Sequence, residues 1–164
     1  MRWWDARAEH APYDYLAISL MQPLNFDDVL NKIVEEDPRY HRDAYAFLRE
    51  ALEFTQKVIS KANKNEVRHI TGQELLDGIR EYALQSYGPM AVTVFEEWGI
   101  RSCEDFGKMV FVMVANNLLR KQEQDSPADF KNGYNFDEAF RKPFLPLSKR
   151  TIEPKPQPSE VETN

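Results

Sequence analysis

The spacing of apolar side chains predicts two helices in the first third of the chain. In residues 26–36 and 39–62 these side chains recur every three or four positions, which places them on one face of a helix. Asn25 is the expected cap of the first helix, and Asp37 followed by Pro38 is the expected start of the second. The two faces consist of Phe26, Val29, Leu30, Ile33 and Val34 in the first helix and of Ala44, Phe47, Leu48, Ala51, Leu52, Thr55, Val58, Ile59 and Ala62 in the second.

Residues 71–118 carry the clearest helix start and stop signals in the chain. Thr71 and Glu74 have the spacing of a capping box, so a helix is expected to begin at residue 72. Gly88 and Pro89 are expected to end it, because glycine tolerates the left-handed conformation that caps a helix and proline cannot continue one.

Two more helices are expected within this stretch. A short one over residues 89–98 ends before Gly99, and Ser102 with Asp105 then starts a last one over 103–118. The middle of this last helix is apolar on nearly every side, so other elements are expected to surround it. Because three of its residues are valines, a buried strand is the alternative, although the cap and the length favour a helix.

Beyond residue 118 the pattern changes to one typical of a β-hairpin. Residues 119–124 and 133–136 are the two expected strands, and Asn132 with Gly133 is a tight-turn pair. Helices followed by a hairpin are the order of a winged-helix unit. The aromatic side chains of this region are expected to pack back on the core. They are Phe130, Tyr134, Phe136, Phe140 and Phe144.

The chain is therefore expected to be mainly α, with a winged-helix-like second half over residues 71–137. A single helical domain is expected over 25–145. It is preceded over 1–24 by an arm or an extension in which no period holds for long. Residues 146–164 are polar and rich in proline, glutamate and threonine, a composition typical of disorder.

Composition narrows the classes of function. The 164 residues are 42% hydrophobic, which suits one domain with a core, and the net charge of −6 disfavours a general binder of nucleic acid or anionic membranes. A single cysteine excludes an internal disulfide and fits a reducing compartment. No apolar stretch reaches the roughly 20 residues of a membrane helix, and acidic residues interrupt the N-terminus. We therefore expect no membrane insertion and no signal peptide, with the cytoplasm as the default location.

Residues with catalytic or metal-binding chemistry are sparse. The three histidines are isolated from one another and no phosphate-binding glycine motif occurs, so we predict no metal, no cofactor and no catalytic residues. Cys103 has the position of a reactive thiol at a helix start, but Glu104 and Asp105 oppose its ionisation. The same two carboxylates disfavour a helix that reads DNA, because they would face phosphates.

Three groups of side chains are candidates for binding a partner. They are an aromatic N-terminal arm, a cluster at the start of the helix over 39–62, and a basic set around the expected hairpin. For the cluster at the helix start, the simpler explanation is a helix start held by ion pairs with aromatic side chains packed beneath it. For the basic set, the simpler explanation is a solvated basic surface. The groups are Trp3, Trp4, Tyr13 and Tyr15; Arg39, Tyr40, His41, Arg42 and Tyr45; and Arg120, Lys121, Lys131, Arg141 and Lys142.

Five stretches carry a resemblance to a known group of proteins. They are DPRYHRDAYAF (37–47), ITGQELLDGIREYALQSYG (70–88), VFEEWGI (94–100), EDFGKMVF (104–111) and DSPADF with YNFDEAF (125–140). On these stretches, residues 21–145 resemble an uncharacterised family of short proteins known mainly from planctomycete and verrucomicrobial genomes. The resemblance implies no activity, because none is assigned to that family. It implies a start near Met21, which agrees with an extension before the domain.

These observations predict a non-enzymatic protein-interaction or assembly module, whose partner is another protein or a second copy of the chain. Binding of nucleic acid or a ribonucleoprotein through the basic region 119–142 is the alternative. A third hypothesis is an enzyme with its site near residues 39–45, where His41 would act as a general acid or base.

Overall fold

The structure, a computed structural model, describes residues 23–64 and 66–146. Almost all of the expected arm and tail lies outside this part of the chain. Among the described helices, none combines the length and the apolar character that a membrane crossing requires. The α-helices are α1 (Pro23–Glu36), α2 (Arg42–Ala62), α3 (Gly72–Tyr87), α4 (Ala91–Glu97) and α5 (Cys103–Ala115).

The two capping boxes confirm the predicted starts of α3 and α5. The Thr71 hydroxyl accepts a hydrogen bond from the Glu74 N–H, and the Glu74 carboxylate accepts one from the Thr71 N–H at 3.0 Å. At α5 the Asp105 carboxylate accepts from the Ser102 N–H at 3.1 Å. The predicted end of α3 is also confirmed, because Gly88 caps it with a φ of +52°.

The starts of α1 and α2 differ from those expected. Pro23 begins α1, so Asn25 lies inside the helix and does not cap it. The N-cap of α2 is His41, whose Nδ1 accepts from the Asp43 N–H at 3.2 Å. Residues 37–41 form the turn before α2, so the helix begins three residues later than predicted.

The last two helices are shorter than predicted. The helix expected over 89–98 is divided into the 3-10 turn Gly88–Met90 and α4. The helix expected over 103–118 ends at Ala115, because Asn117 adopts a left-handed conformation with a φ of +59°. The Leu118 N–H then donates to the Met113 carbonyl at 2.9 Å, a bond that closes the end of a helix.

The expected β-hairpin is wrong, because the part of the chain that the structure describes contains no strand. The winged-helix interpretation of residues 71–137 fails with it, while the mainly α class is confirmed. The Tyr134 hydroxyl donates to the Leu76 carbonyl at 2.9 Å, which holds the segment expected as the second strand against α3. Short turns replace the hairpin: Pro127–Phe130 and Lys142–Phe144 are 3-10 turns, and Asp137–Arg141 is a π-helical turn.

Aromatic rings attach these turns to the helical core. Phe95 of α4 is fully buried, and its ring centroid lies 5.4 Å from those of Phe47, Phe106 and Phe140. Of the C-terminal aromatics expected to pack on the core, all do so except Phe144, which is 46% exposed. The far end of the α2 face also remains outside the core. Val58 is 43% exposed there, and Ala62 is exposed too.

Candidate functional site

The arginines of the Arg39–Tyr45 cluster bind side chains of the same domain. The Arg39 guanidinium binds both oxygens of the Asp37 carboxylate, with Nε 2.8 Å from Oδ1 and a terminal nitrogen 2.5 Å from Oδ2. This pair lowers the pKa of the Asp37 carboxyl. Arg42 binds Asp27 of α1 at 2.5 Å and Asn31 at 3.0 Å. Both arginine side chains are at least 40% exposed, so these pairs add little to the free energy of unfolding. His41 serves as the helix cap.

Tyr40 and Asp105 join the turn before α2 to the start of α5. Tyr40 is 3% exposed, and its hydroxyl donates to Asp105 Oδ1 at 2.8 Å. The same oxygen accepts from the Lys108 ammonium at 2.9 Å. The other oxygen, Oδ2, accepts from the backbone N–H groups of Arg101 and Ser102 at 2.9 and 3.1 Å. We call this contact between residues 37–41 and 98–105 the junction.

Tyr40→Phe and Tyr45→Phe remove the same atom and are expected to have opposite effects. The Tyr45 side chain is fully buried, burial raises its pKa to about 12, and its hydroxyl has no hydrogen-bond partner among the described residues. Losing the bond from Tyr40 to Asp105 is expected to lower the free energy of unfolding by about 2 kcal/mol, whereas removing the unpartnered hydroxyl should raise it by about 1 kcal/mol. Urea denaturation at neutral pH measures both values. Equal losses in the two variants would show that the Tyr45 hydroxyl does have a partner.

The other predicted partner residues do not form a hairpin surface. Trp3, Trp4, Tyr13 and Tyr15 lie outside the described residues. Two members of the basic set bind acids nearby: Arg141 contacts Asp137 at 2.6 Å and Glu96 at 3.2 Å, and Lys142 contacts Glu138 at 2.9 Å. The remaining three side chains are exposed, and no ion pair joins them to another described residue. They are Arg120, Lys121 and Lys131.

Cys103 is buried, with 4% of its surface exposed. Burial raises the pKa of its thiol to about 11, and Sγ lies 3.4 Å from the Tyr134 carbonyl oxygen. These contacts favour a packing role over a reactive one. Within residues 23–64 and 66–146 no group of three or more histidine, cysteine, aspartate or glutamate side chains is placed to hold a metal ion.

A strip of partly exposed aromatic rings crosses the helices α2 and α3 and ends beside α4. Phe47 lies buried at its centre, with its ring centroid 5.5 Å from that of Tyr82, 5.8 Å from Tyr87 and 5.7 Å from Trp98. Phe54 extends the row, 5.4 Å from Tyr82. All except Phe47 are partly exposed to solvent. We call these five residues the aromatic strip.

Two carboxylates lie at the edge of the aromatic strip. Asp43 and Glu50 alternate with the strip phenylalanines along α2 at positions i, i+4, i+7 and i+11, which share one helix face. Glu50 accepts a hydrogen bond from the Tyr82 hydroxyl at 2.9 Å, and this bond raises the pKa of Tyr82. Burial, together with the charges of Glu50 and Asp43, raises the pKa of Tyr87. The strip therefore combines ring faces with negative charge.

The strip was not predicted from the sequence, although its α2 part is visible there. The interval of seven between Asp43 and Glu50, interleaved with Phe47 and Phe54, is readable within one helix. Tyr82, Tyr87 and Trp98 become neighbours of Phe47 only through the packing of α3 and α4 against α2, which the sequence does not specify. Trp98 is partly exposed and packs against the edge of the core.

Comparison with protein-family models, curated proteins and solved structures finds no significant match for this chain. The resemblance to the planctomycete and verrucomicrobial family therefore stays a prediction. A function is therefore inferred from the side chains on the surface of the domain.

Proposed function

We propose that this domain is a protein-interaction module that binds a lysine- or arginine-bearing segment of a partner protein on the aromatic strip. The observation that carries the proposal is the pair of carboxylates, Asp43 and Glu50, beside partly exposed tyrosine and tryptophan rings. A cation above an aromatic face gains roughly 0.5–2 kcal/mol, depending on how far it is desolvated. The carboxylates supply the opposite charge at the same place.

The arrangement of the rings supports recognition because they are held in place before a partner arrives. Tyr87 and Trp98 meet edge to face, with centroids 5.9 Å apart and planes at 85°. Phe47 supports both from beneath, and the bond to Glu50 fixes the Tyr82 hydroxyl. Rigid aromatic side chains lose little conformational freedom on binding and often dominate the energy of protein interfaces. A net charge of −6 would also speed encounter with a basic partner.

Nucleic acid is the less favoured partner of this strip. Asp43 and Glu50 would approach phosphates as like charges, at a cost that low salt increases. The basic region 119–142 lacks the hairpin that was expected to present it, and Arg141 and Lys142 bind neighbouring acids.

Titration with short peptides tests the proposal. A nine-residue peptide with arginine at every third position is expected to bind with saturation and to shift the amide resonances around the strip. The double variant Asp43→Asn, Glu50→Gln should weaken binding about tenfold, because each lost charge contact is worth roughly 0.5–1 kcal/mol. Calorimetry at 50 and 150 mM salt measures the change.

The matched control is the double variant Glu35→Gln, Glu104→Gln. It removes the same charge from two exposed acids outside the strip, of which Glu104 occupies the first turn of α5 as Asp43 does that of α2. Binding by the control should equal that of the natural sequence. Equal weakening in both double variants would show attraction by net charge alone and overturn the proposal, as would failure of every basic peptide to bind.

A further inference from the structure

A groove of about 290 Å³ lies between α4 and the π-helical turn Asp137–Arg141. Its lining residues are different from those of the aromatic strip. Buried Val92 and partly buried Phe136 contribute apolar surface, and the other lining side chains are charged or amide groups. The volume is at the lower end of the range for small-molecule sites, about 300 Å³.

The groove lining contains two acidic and two basic side chains, and only some of their charged atoms form ion pairs with one another. Arg141 binds one oxygen of each of two carboxylates, Asp137 Oδ1 at 2.6 Å and Glu96 Oε1 at 3.2 Å. The second oxygen of each carboxylate accepts from no described residue. Arg101 contributes the other positive charge of the lining, and its guanidinium is exposed without an ion pair to any described carboxylate.

Asn135 adds an oriented donor to the same groove. Its side-chain oxygen accepts from the backbone N–H groups of Asp137 and Glu138, at 2.9 and 3.2 Å. Because the oxygen is engaged there, the amide –NH2 group is the part of Asn135 that remains to donate to a ligand. The groove therefore offers donors from Arg101 and Asn135 as well as free carboxylate oxygens from Glu96 and Asp137.

We propose that this groove binds a small zwitterion of the α-amino-acid class. The ligand carboxylate would pair with the Arg101 guanidinium and the Asn135 amide, and the ligand ammonium with the free oxygens of Glu96 and Asp137. An apolar side chain would lie on Phe136. Balanced charges in the lining match a ligand that carries one charge of each sign, and charge-assisted hydrogen bonds are the strong ones.

A matched series of three ligands tests each contact: L-phenylalanine, 3-phenylpropionate without the ammonium, and phenethylamine without the carboxylate. L-Phenylalanine is expected to shift the Arg101 and Asn135 resonances in a saturable way, and each truncated analogue should bind at least tenfold more weakly. Equal binding of 3-phenylpropionate or phenethylamine would overturn the zwitterion assignment. Absence of saturable shifts with L-phenylalanine would overturn the site.

Variants of two arginines provide the protein side of the test. Arg101→Gln should reduce the affinity for L-phenylalanine at least tenfold. The structural bond of residue 101 to Asp105 uses the backbone N–H and is retained. Arg120→Gln is the control, because Arg120 is also exposed and unpaired among described residues but does not line the groove. Unchanged affinity in Arg101→Gln, or the same loss in both variants, contradicts the proposal.

Discussion

Replacing Asp105 with alanine is expected to lower the free energy of unfolding by about 3 kcal/mol or more. Asp105 is 9% exposed, and its carboxylate accepts hydrogen bonds from the Tyr40 hydroxyl, the Lys108 ammonium and two backbone N–H groups. Alanine leaves the buried hydroxyl and the two amides without their acceptor, and each unsatisfied buried group costs about 1–3 kcal/mol. Lys108 is half exposed and turns to solvent, so its share is small.

Glu104→Ala is the matched control for this prediction. Glu104 precedes Asp105 in the same first turn of α5 and carries the same charge, but it is exposed. Its replacement should change the free energy of unfolding by no more than about 0.5 kcal/mol. Denaturant titration measures the free energy of unfolding of both variants. A similar small loss in each would mean that the Asp105 carboxylate does not join α5 to the turn before α2.

The same carboxylate predicts a pH dependence of stability. Burial alone would raise the pKa of Asp105, but Lys108, the Arg101 N–H and Tyr40 outweigh it and hold the pKa below its ordinary value of 3.8. The folded protein therefore binds this proton less tightly than the unfolded chain does. Asp105 stabilises the fold above that ordinary value, and the contribution is lost as the pH falls through the lower folded pKa.

Comparison of the natural sequence with Asp105→Asn isolates this contribution. The difference in their free energies of unfolding should be constant near neutral pH and shrink below about pH 4. A difference that persists unchanged to pH 2 would contradict the assignment of the lowered pKa to Asp105.

The sequence predicts well those helix starts that depend only on a few neighbouring residues. A capping box needs only two residues three positions apart, so the spacing of Thr71 and Glu74 is enough to place the start of α3. The same rule predicted the start of α5 from Ser102 and Asp105. The buried bond of Asp105 to Tyr40 depends on a residue 65 positions away, and no local pattern encodes that contact.

The C-terminal segment shows why a local pattern can mislead. Asn132-Gly133 has the composition of a hairpin turn, yet glycine is needed here for a long-range packing reason. A Cβ on Gly133 would lie 2.5 Å from the Cys103 sulfur, so only glycine fits against α5. Tertiary contacts therefore override the strand-like composition of the segment.

The aromatic strip is predictable to the extent that one helix contains it. The α2 spacing of acids and phenylalanines is fixed by helical geometry. Tyr82 and Tyr87 join the strip only because α3 packs along α2, and the sequence does not state which helices are neighbours. The arm aromatics are concentrated in a short stretch of the sequence, whereas the strip rings are distributed over more than 40 residues.

Gly99→Ala is the second variant with a large expected loss, more than about 3 kcal/mol of unfolding free energy. Gly99 has a φ of +84°, a conformation that costs another residue roughly 1–3 kcal/mol. In addition, an alanine Cβ would collide with the Arg39 carbonyl oxygen. That oxygen belongs to the backbone of the junction and cannot rotate away as a side chain would. The clash can be relieved only if the turn before α2 moves away from the connection between α4 and α5.

Gly88→Ala separates the two parts of this loss. Gly88 also has a positive φ, +52°, but a Cβ there would meet no atom within 4 Å, so only the conformational cost remains. The His41 N–H donates to the Trp98 carbonyl at 3.0 Å across the junction, and its hydrogen exchange reports whether the junction has opened. We expect faster exchange of the His41 amide in Gly99→Ala than in Gly88→Ala after correction for global stability. If the two variants had equal exchange of the His41 amide and equal losses of unfolding free energy, close packing against Arg39 would not be what constrains residue 99.

Because Trp98 belongs to both the junction and the aromatic strip, an opened junction should also weaken binding of the basic peptide.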